Sequence, residues 1–497
     1  MSGPAVRAVP GGRKIDLSNA KFETDLTQGH VGRQLVLFAL PFLVSNIVQS
    51  LYNVADMLIV GNFAGTISMS GVNIGGQITH ILTQLVMGLC TGGTILIAQY
   101  MGSKRREEAR QAIATLMTTL VLAALFITCV MFFLQKPILG WVNTPAESMD
   151  EAYRYVFICN LGILFIFAYN ALAAVMRGLG DSKRPFYFVL IACVTNVALD
   201  LILVGGFGMG ASGAAIATVF SQALSVVLCV VYLARNDFIF DFKLSSFRLH
   251  MDKLRLIFRF GLPTCVKSGV ASFSFLFITA LVNTVGGVDA SAAVGVVSKF
   301  NSFAIMPAIA IDNSISTMSA QNVGAGQWDR AARTCRVGMT ISFAISVCIF
   351  ALAQLFPAQI LALFDRNPAM IAAGVTYMRT FSLDYLLVPF VFSFSGLFKG
   401  SSHTTFSLID GLLSSLVLRV PACYLFGLAL NMGLTGIGLG APLATLGSLL
   451  LDLWFFLSGR WRVNLIEKRQ AAIQARLAAE PACMTSPLPA ALEEPVE

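Results

Sequence analysis

One row of polar side chains interrupts an apolar segment near the start of the chain. It consists of Asn46, Gln49, Asn53 and Asp56. Spacings of three, four and three residues place the row on one face of an α-helix. A carboxylate at the centre of a membrane-spanning helix costs about 2.5–3.5 kcal/mol, so Asp56 is expected to face protein or water and is the strongest candidate for binding a proton or a cation. For the three amides, hydrogen bonding between packed helices is favoured over lining a cavity.

Two further polar groups lie in other apolar segments. Asn196 and Asp200 are four residues apart and therefore share one helix face. Their amide and carboxyl groups could hold one proton or ion together, although Asp200 lies near a helix end and also fits an interfacial acid. The other group consists of Asn73, Gln77, His80 and Gln84. We expect this second stripe to line a cavity or to join helices, in preference to a proton relay through His80.

Charged residues also lie in or near apolar segments of the C-terminal half. They are Lys267, Lys299, Asp312, Asp384 and Arg419. Pairing between helices would offset the cost of burying these side chains, and we favour such a structural network for them. Lys267 and Asp384 are the two that we expect to line a cavity.

The composition identifies lipid as the solvent of these segments. Of 497 residues, 56% are hydrophobic and 12% are charged, and the mean hydropathy is +0.76, whereas soluble proteins have about 25% charged residues. A membrane-spanning helix needs about 20 apolar residues, so the chain has room for twelve. They are predicted near residues 34–60, 73–101, 112–135, 155–176, 186–205, 212–234, 260–283, 293–322, 337–356, 377–398, 404–428 and 437–459. Pro41 is expected to bend the first helix, because proline removes a backbone hydrogen bond.

The basic residues orient the predicted helices in the membrane. Of the 34 Lys and Arg residues, 27 lie in the two tails and in loops on the same side, four lie in the opposite loops, and three lie within helices. Because cytoplasmic loops are rich in Lys and Arg, both termini are predicted to be cytoplasmic in a multi-pass protein of the plasma (inner) membrane. The net charge of +8 therefore reflects topology, and no nucleic-acid partner is expected.

The chain repeats itself after 222 residues. This shift aligns Pro41 with Pro263 and Gln99 with Gln321, and further matches occur at glycines. Six helices in each half would cross the membrane in the same direction, as in secondary transporters built from parallel repeats. The predicted parts are a cytoplasmic N-terminal tail (1–33), an N-lobe (34–234), a cytoplasmic linker (235–259), a C-lobe (260–459) and a partly disordered cytoplasmic tail (460–497).

Motifs of soluble enzymes are absent or misplaced. The stretch Gly208-Met-Gly-Ala-Ser-Gly213 matches GxGxxG, but it lies in a short turn between two predicted spanning helices and not in a βαβ unit. The sequence has no GxxxxGK[ST] loop, no HExxH motif and no CxxC pair. These observations argue against an enzyme and against a metal or redox cofactor.

The combination of features resembles the multidrug and toxic compound extrusion (MATE) family of cation antiporters, over about residues 25–459. The resemblance rests on Pro41, Asp56, Asn196-x-x-x-Asp200, Thr218 and the stretches that begin at Gln99 and Gln321. It implies an all-α membrane protein with twelve transmembrane helices, in which two six-helix parallel repeats form a V around a central cavity. Some members carry an acid in the seventh helix, where this sequence has Lys267, so that ion site is not carried over.

The resemblance also implies a site and a function. Asp56, Asn196, Asp200 and Thr218 match the N-lobe cation-coupling site of the family, which would hold H⁺ or Na⁺. Independently of the resemblance, the polar positions within the apolar segments give the candidates for lining the cavity or contacting substrate: Gln49, Asn53, Gln77, Gln84, Lys267 and Asp384. The expected function is secondary active efflux of organic cations or drugs by antiport with H⁺ or Na⁺, with no other cofactor. A small-molecule substrate and the lipid bilayer are the expected partners of a monomer.

In the mechanism that we expect, Asp56 takes up the ion from outside and releases the cargo in exchange, because one carboxylate cluster cannot serve both fully at once. Rocking of the two lobes would then move the site between the faces of the membrane. The alternatives on the same fold are a flippase for lipid-linked saccharide and an exporter of organic anions attracted to Lys267, Lys299 and Arg419.

Overall fold

The computed structural model describes residues 23–236, 238–364 and 366–466, and within these ranges the regular structure is helical. The N-terminal half contains α1 (Val31–Gly102), α2 (Arg106–Trp141), α3 (Met149–Leu161), α4 (Ile163–Gly178), α5 (Lys183–Asp200) and α6 (Gly210–Ala234). The C-terminal half contains α7 (Met251–Ala304), α8 (Met306–Gly324), α9 (Trp328–Leu355), α10 (Pro357–Ala362), α11 (Pro368–Phe381), α12 (Asp384–Gly400), α13 (Thr404–Leu412), α14 (Val420–Tyr424) and α15 (Gly433–Leu457). The predicted all-α fold is confirmed. Most of the two predicted tails lies outside the described residues.

Eight helical segments of the described chain are long and apolar enough to cross a membrane, and two bent pairs raise the number to ten. The bent pairs are α3 with α4, at 52°, and α11 with α12, at 47°. Two of the eight segments, α1 and α7 continued by α8, have 72 and 74 residues. A straight helix of that size would be about 108 Å long, more than three times the hydrocarbon core of a bilayer.

A single glycine interrupts each of these two long segments. Gly65 (φ 78°) and Gly287 (φ 61°) have non-helical backbone angles that residues with a Cβ rarely adopt. The 222-residue shift aligns the two glycines, so both halves break their first long helix at the same place. Counting each segment as two spans would give twelve, and the number twelve stays a prediction.

The region between the two halves is partly helical. Helix α7 begins at Met251, inside the region that was predicted to be a linker, and only a short 3₁₀ turn (Leu244–Ser246) precedes it. The first turns of α7 contain Asp252, Lys253 and Arg255. Hydropathy detects apolar segments, so it does not detect a charged helix end that lies outside the lipid. The predicted linker therefore includes the first helical turns of α7, and the division of the chain into lobes and linker stays a prediction.

The halves contact each other where α1 and α8 end. Gly102 packs against the backbone of Gln321, and Gly324 packs against the backbone of Gln99. A Cβ added to Gly102 or Gly324 would lie 1.9 or 2.0 Å from the facing carbonyl oxygen, so only glycine fits at either position. Because the 222-residue shift aligns both the glycines and the glutamines, each half makes the same contact with the other.

The two glutamines extend this reciprocal contact. Gln99 Nε2 donates to the carbonyl oxygen of Gly400 at 2.7 Å, and Gln321 Nε2 donates to the carbonyl oxygen of Gly178 at 3.4 Å. Gly178 and Gly400 are again aligned by the repeat. At the same end Lys253 forms a salt bridge with Glu108 of the opposite half. The halves are thus joined at the end of the bundle that carries the basic loops.

Replacement of Gly324 by alanine is expected to lower the free energy of unfolding by about 1–3 kcal/mol, because the new methyl group would overlap the Gln99 carbonyl oxygen. Thermal unfolding of the purified protein in detergent measures the change. Gly295→Ala is the matched control, since Gly295 also lies within a long helix and has no neighbouring atom within 4 Å of an added Cβ. Equal unfolding temperatures for the two variants would show that the α1–α8 contact is not tight.

Candidate functional site

A cavity of about 770 Å³ lies within the N-terminal half. It is surrounded by α1 and α3–α6, and the residues that line it fall between Phe42 and Gln222. The polar residues on its wall include most of those singled out from the sequence: Asn46, Gln49, Asn53, Asp56, Asn73, Gln77, His80, Gln84 and Thr218. The two polar stripes of α1, one on each side of Gly65, therefore face the same space.

Many of these polar side chains are exposed. They are Gln49, Asn53, Asn73, Gln77, His80 and Gln84. In a helix that crosses lipid, an exposed amide on the acyl-chain side would lack hydrogen-bond partners. The cavity accounts for their exposure, and we expect it to be filled with water. For Gln49 and Asn53 this arrangement supports cavity lining over a packed seam between helices.

The deep wall of the cavity carries a cluster of four buried polar residues from three helices. Asp56 of α1 and Thr218 of α6 line the cavity itself, and Asn196 and Asp200 of α5 lie behind them. Asp56 is 7% exposed and Asp200 is fully buried. Asp200 is the last residue of α5, which continues as a π-helical segment (Leu201–Gly206). Such π-helical segments often occur at functional sites.

Hydrogen bonds join Asn196 to two of the other three residues. With its amide nitrogen turned toward the carboxyl group, Asn196 donates to Asp200 Oδ2 at 3.0 Å and accepts from the backbone N–H of Thr218 at 3.2 Å. The carboxyl groups of Asp56 and Asp200 are themselves within hydrogen-bonding distance of each other. Two carboxylates in contact repel each other, so the pair is suited to share one proton or to bind a cation.

The acid pair has no compensating base. Among the described residues, neither Asp56 nor Asp200 takes part in a salt bridge, and the Oδ1 atom of each is buried without a hydrogen-bond partner. Unpaired buried acceptors are costly, and a proton or cation would satisfy them. The structure brings together the four residues of the expected coupling site, and their role in coupling stays a prediction.

Sequence reasoning missed Tyr52. Its side chain lines the cavity, is hydrogen-bonded to Thr218 and lies close to Asp56. A signal was present, because Tyr52 is four residues before Asp56 and therefore on the same helix face. The hydroxyl group adds a hydrogen-bond donor to the wall around the two acids.

Arg177 of α4 was also missed as a cavity residue. It lines the cavity and lies over the ring of Phe42, with 5.6 Å between the guanidinium carbon and the ring centre. The repeat aligns Arg177 with Lys399, which is salt-bridged to Asp312 in the C-terminal half. Among the described residues Arg177 has no such acidic partner, so it is a cation on the cavity wall.

The residues singled out in the C-terminal half lie away from this cavity. Asp384 is hydrogen-bonded to Thr445 and lies near Arg419, whereas Lys299 is exposed. Lys267 contacts a serine and an aspartate of α13. Together with the Asp312–Lys399 pair, these contacts are of the kind expected for a network that offsets the burial of charge. A substrate role for Lys267 or Asp384 stays a prediction.

The apolar helices, the repeated halves and the polar cavity define the class of protein as a multi-pass membrane transporter. The family model described as MatE matches residues 41–202 and 263–425, which together are more than half of the chain. The two matches begin at Pro41 and Pro263, at the spacing of the internal repeat. The chain therefore belongs to the MATE family, whose members are transporters and not enzymes, and the expected family is confirmed.

Relatives and solved structures agree with this assignment. The probable multidrug resistance protein YoeA of Bacillus subtilis is 29% identical over 430 residues, which cover 85% of this chain and 92% of the relative. The probable multidrug resistance protein NorM of Thermotoga maritima is 24% identical over 445 residues, 88% of this chain and 95% of the relative. A structure described as the outward-facing conformation of a multidrug resistance MATE family transporter has a TM-score of 0.82 at 24% identity, covering 89% and 98% of the two chains.

A further similar structure is that of a transporter from Pyrococcus furiosus, with a TM-score of 0.81 at 24% identity, covering 89% of this chain and 98% of that one. Its description states that reverse polarity of the binding pocket suggests a different function for that protein. At this level of identity both structures show the shared fold, and the cargo has to be argued from the residues of this chain.

The exposed amides of α1 are expected to be accessible from water. In a variant without the native cysteines, a thiol introduced by Gln77→Cys should react with a charged, membrane-impermeant maleimide about tenfold faster than one introduced by Leu122→Cys. Leu122 is 55% exposed and lies in the apolar helix α2, so its surroundings are lipid and a thiol there would not ionise. Mass spectrometry of the labelled protein gives the rates. Similar rates at the two positions would mean that the α1 face is not lined by water.

Proposed function

We propose that this protein is a secondary active exporter that moves organic cations or drugs out of the cell in exchange for H⁺ or Na⁺. The observation that carries the proposal is the water-exposed polar cavity that ends at Asp56 and Asp200, two buried acids without a basic partner. A cavity of about 770 Å³ is in the range of sites for drug-sized molecules.

Coupling follows from competition for the acid pair. A proton or Na⁺ on Asp56 and Asp200 removes the negative charge that would hold a cationic cargo, so uptake of the ion favours release of the cargo. Loss of the ion on the other side of the membrane restores the charge and permits the next cargo to bind. An inward cation gains about 2.3 kcal/mol per 100 mV of membrane potential, which supplies the driving force.

The contacts between the halves support alternating access with the present arrangement facing outward. Gly102 and Gly324 bring α1 and α8 into contact at the end with the basic loops, which the positive-inside rule assigns to the cytoplasm. On this proposal the path to the cytoplasm is closed there, and the cavity is reached from the other side. Separation of the α1–α8 contact would open the site to the cytoplasm. On this proposal the protein lies in the plasma membrane with both termini in the cytoplasm.

A second candidate function is export of organic anions, and Arg177 is the observation that favours it. This guanidinium group lines the cavity and has no acidic partner among the described residues, so it could bind a carboxylate or phosphate of the cargo. Lys267, Lys299 and Arg419, on which the anion alternative was first based, lie outside the cavity. The acid pair still favours the cationic cargo, because two carboxyl groups oppose one guanidinium group.

Reconstituted liposomes with an imposed pH or Na⁺ gradient test the proposal. A fluorescent lipophilic cation should move against its own gradient only when the ion gradient is present, and Asp56→Asn should reduce this movement to the level of protein-free liposomes. Asp150→Asn is the control, since Asp150 is an exposed acid at the start of α3. Transport of an anionic dye in place of the cation, lost in Arg177→Gln, would support the second candidate. Transport of the dye that is equally fast with and without the ion gradient would exclude antiport.

Thr218 is expected to hold Tyr52 in place beside the acid pair. Thr218→Val removes the hydroxyl group that is hydrogen-bonded to Tyr52, a loss worth about 0.5–1.5 kcal/mol, and should weaken binding of the coupling ion up to about tenfold. The ion concentration that gives half-maximal transport measures the effect. Thr218→Ser keeps the hydroxyl group and should behave like the unmodified protein. If Thr218→Val and Thr218→Ser changed the half-maximal ion concentration equally, the effect would come from the packing of the Thr218 side chain and not from its hydroxyl group.

A further inference from the structure

A second group of buried acids lies in the C-terminal half, outside the cavity described above. It consists of Asp410 of α13 and Asp452 of α15, each 2% exposed. Sequence reasoning missed both, although each interrupts an apolar segment. The basic residue beside them is Lys267 of α7, whose side chain is 30% exposed. We call these three residues the C-terminal triad.

Hydrogen bonds hold two members of the triad in place. Lys267 Nζ donates to Ser407 Oγ at 3.1 Å and lies 3.9 Å from Asp410 Oδ2. Ser448 donates a hydrogen bond to Asp410 Oδ1. Asp410 therefore has a base on one oxygen and a hydroxyl donor on the other, as an ionised carboxylate requires.

Asp452 lacks equivalent partners. It interacts electrostatically with both Asp410 and Lys267, yet its Oδ2 atom is buried without a hydrogen-bond partner. One ammonium group thus opposes two carboxyl groups. Because a net charge inside a membrane protein is costly, one further positive charge is needed to balance the triad when both acids are ionised.

The neighbouring helices do not supply that charge. On α9 the thiol of Cys335 interacts with Asp452 and can only add negative charge, and Arg336 next to it is exposed. On α12 the basic residue is Lys399, and its ammonium group is occupied by Asp312 of α8. Arg419, in the π-helical segment after α13, faces Asp384 instead. Among the described residues, Lys267 is therefore the base of this site.

The internal repeat shows that the acids are not required by the packing. The 222-residue shift pairs Asp410 with Phe188, and a further slip of five residues, which aligns Gly213 with Gly440, pairs Asp452 with Ser225. Ser225 Oγ donates to the Phe188 carbonyl oxygen at 3.1 Å, and the corresponding helices of the C-terminal half meet through the hydrogen bond from Ser448 to Asp410. Only the C-terminal half has a pair of acids there, with a lysine facing them.

We propose that the C-terminal triad is a proton-binding site, in which Lys267 balances the Asp410 carboxylate and a single proton taken from water keeps Asp452 neutral. A metal cation fits less well, because the ammonium group repels it and one unpaired oxygen atom cannot replace its hydration shell. The site joins α7 to α13 and α15, so its protonation state affects the contacts of the helix that packs against α1. This inference is independent of the cargo proposed above.

The number of protonated carboxyl groups at neutral pH tests the proposal, and infrared difference spectroscopy of the purified protein in detergent measures it through the carboxyl C=O band. Asp452→Asn should lose one protonated group, since Asp410 and Lys267 then balance each other, and Asp410→Asn should lose one for the same reason. Lys267→Met should gain one. Asp329→Asn, which removes an acid with a 90% exposed side chain on α9, should leave the number unchanged.

The opposite signs expected for the acid and lysine variants distinguish a bound proton from a structural role. An unchanged band in Asp452→Asn and Asp410→Asn would overturn the proposal. Loss of the component that is missing in Asp452→Asn when Na⁺ is added to the unmodified protein would also overturn it, because the triad would then hold a metal ion. Thermal unfolding shows which variants fold, and either acid variant is sufficient for the test. Since the measurement does not use transport, failure of the proposed antiport through Asp56 would leave this result unaffected.

Discussion

The cost of placing charge and unpaired polar groups in a medium without water governs most of this structure. It restricts the backbone to helices, and it requires each buried acid to find a base, a hydrogen-bond donor, or a space that water or an ion can enter. Asp312 meets the requirement with Lys399. Asp56 and Asp200 meet it differently, since they adjoin a cavity and lie against each other. Because no basic residue of the described chain forms a salt bridge with these two acids, the N-terminal half is a candidate for ion coupling.

The two halves share a fold but distribute charge differently. Arg177 and Lys399 occupy corresponding positions. Arg177 lines the cavity, whereas Lys399 forms a salt bridge with Asp312. Phe188 and Ser225 in one half correspond to Asp410 and Asp452 in the other. A duplicated fold thus provides two sets of equivalent positions, and substitution at a few of them gives each half its own chemistry.

Close approach of backbone joins the two halves. The α1–α8 contact is formed by glycines and by hydrogen bonds from Gln99 and Gln321 to backbone carbonyls. Buried apolar side chains surround it, since Leu35 and Phe38 of α1 share one cluster with Ile315 of α8. Separation of the halves would therefore have to rearrange apolar side chains as well as these backbone contacts.

The sequence by itself determined the fold class, the repeat and the residues of the N-terminal acid cluster, because hydropathy, helical spacing and the 222-residue shift are local or linear properties. Resemblance to a family supplied the grouping of Asp56 with Asn196, Asp200 and Thr218, which lie far apart in the chain. Tertiary structure decided where the cavity lies, that Tyr52 and Arg177 belong to it, and which acid each C-terminal base faces. Those facts depend on how the helices rotate and pack against each other. The spacing of residues along one helix does not reveal which residue of another helix a side chain will contact.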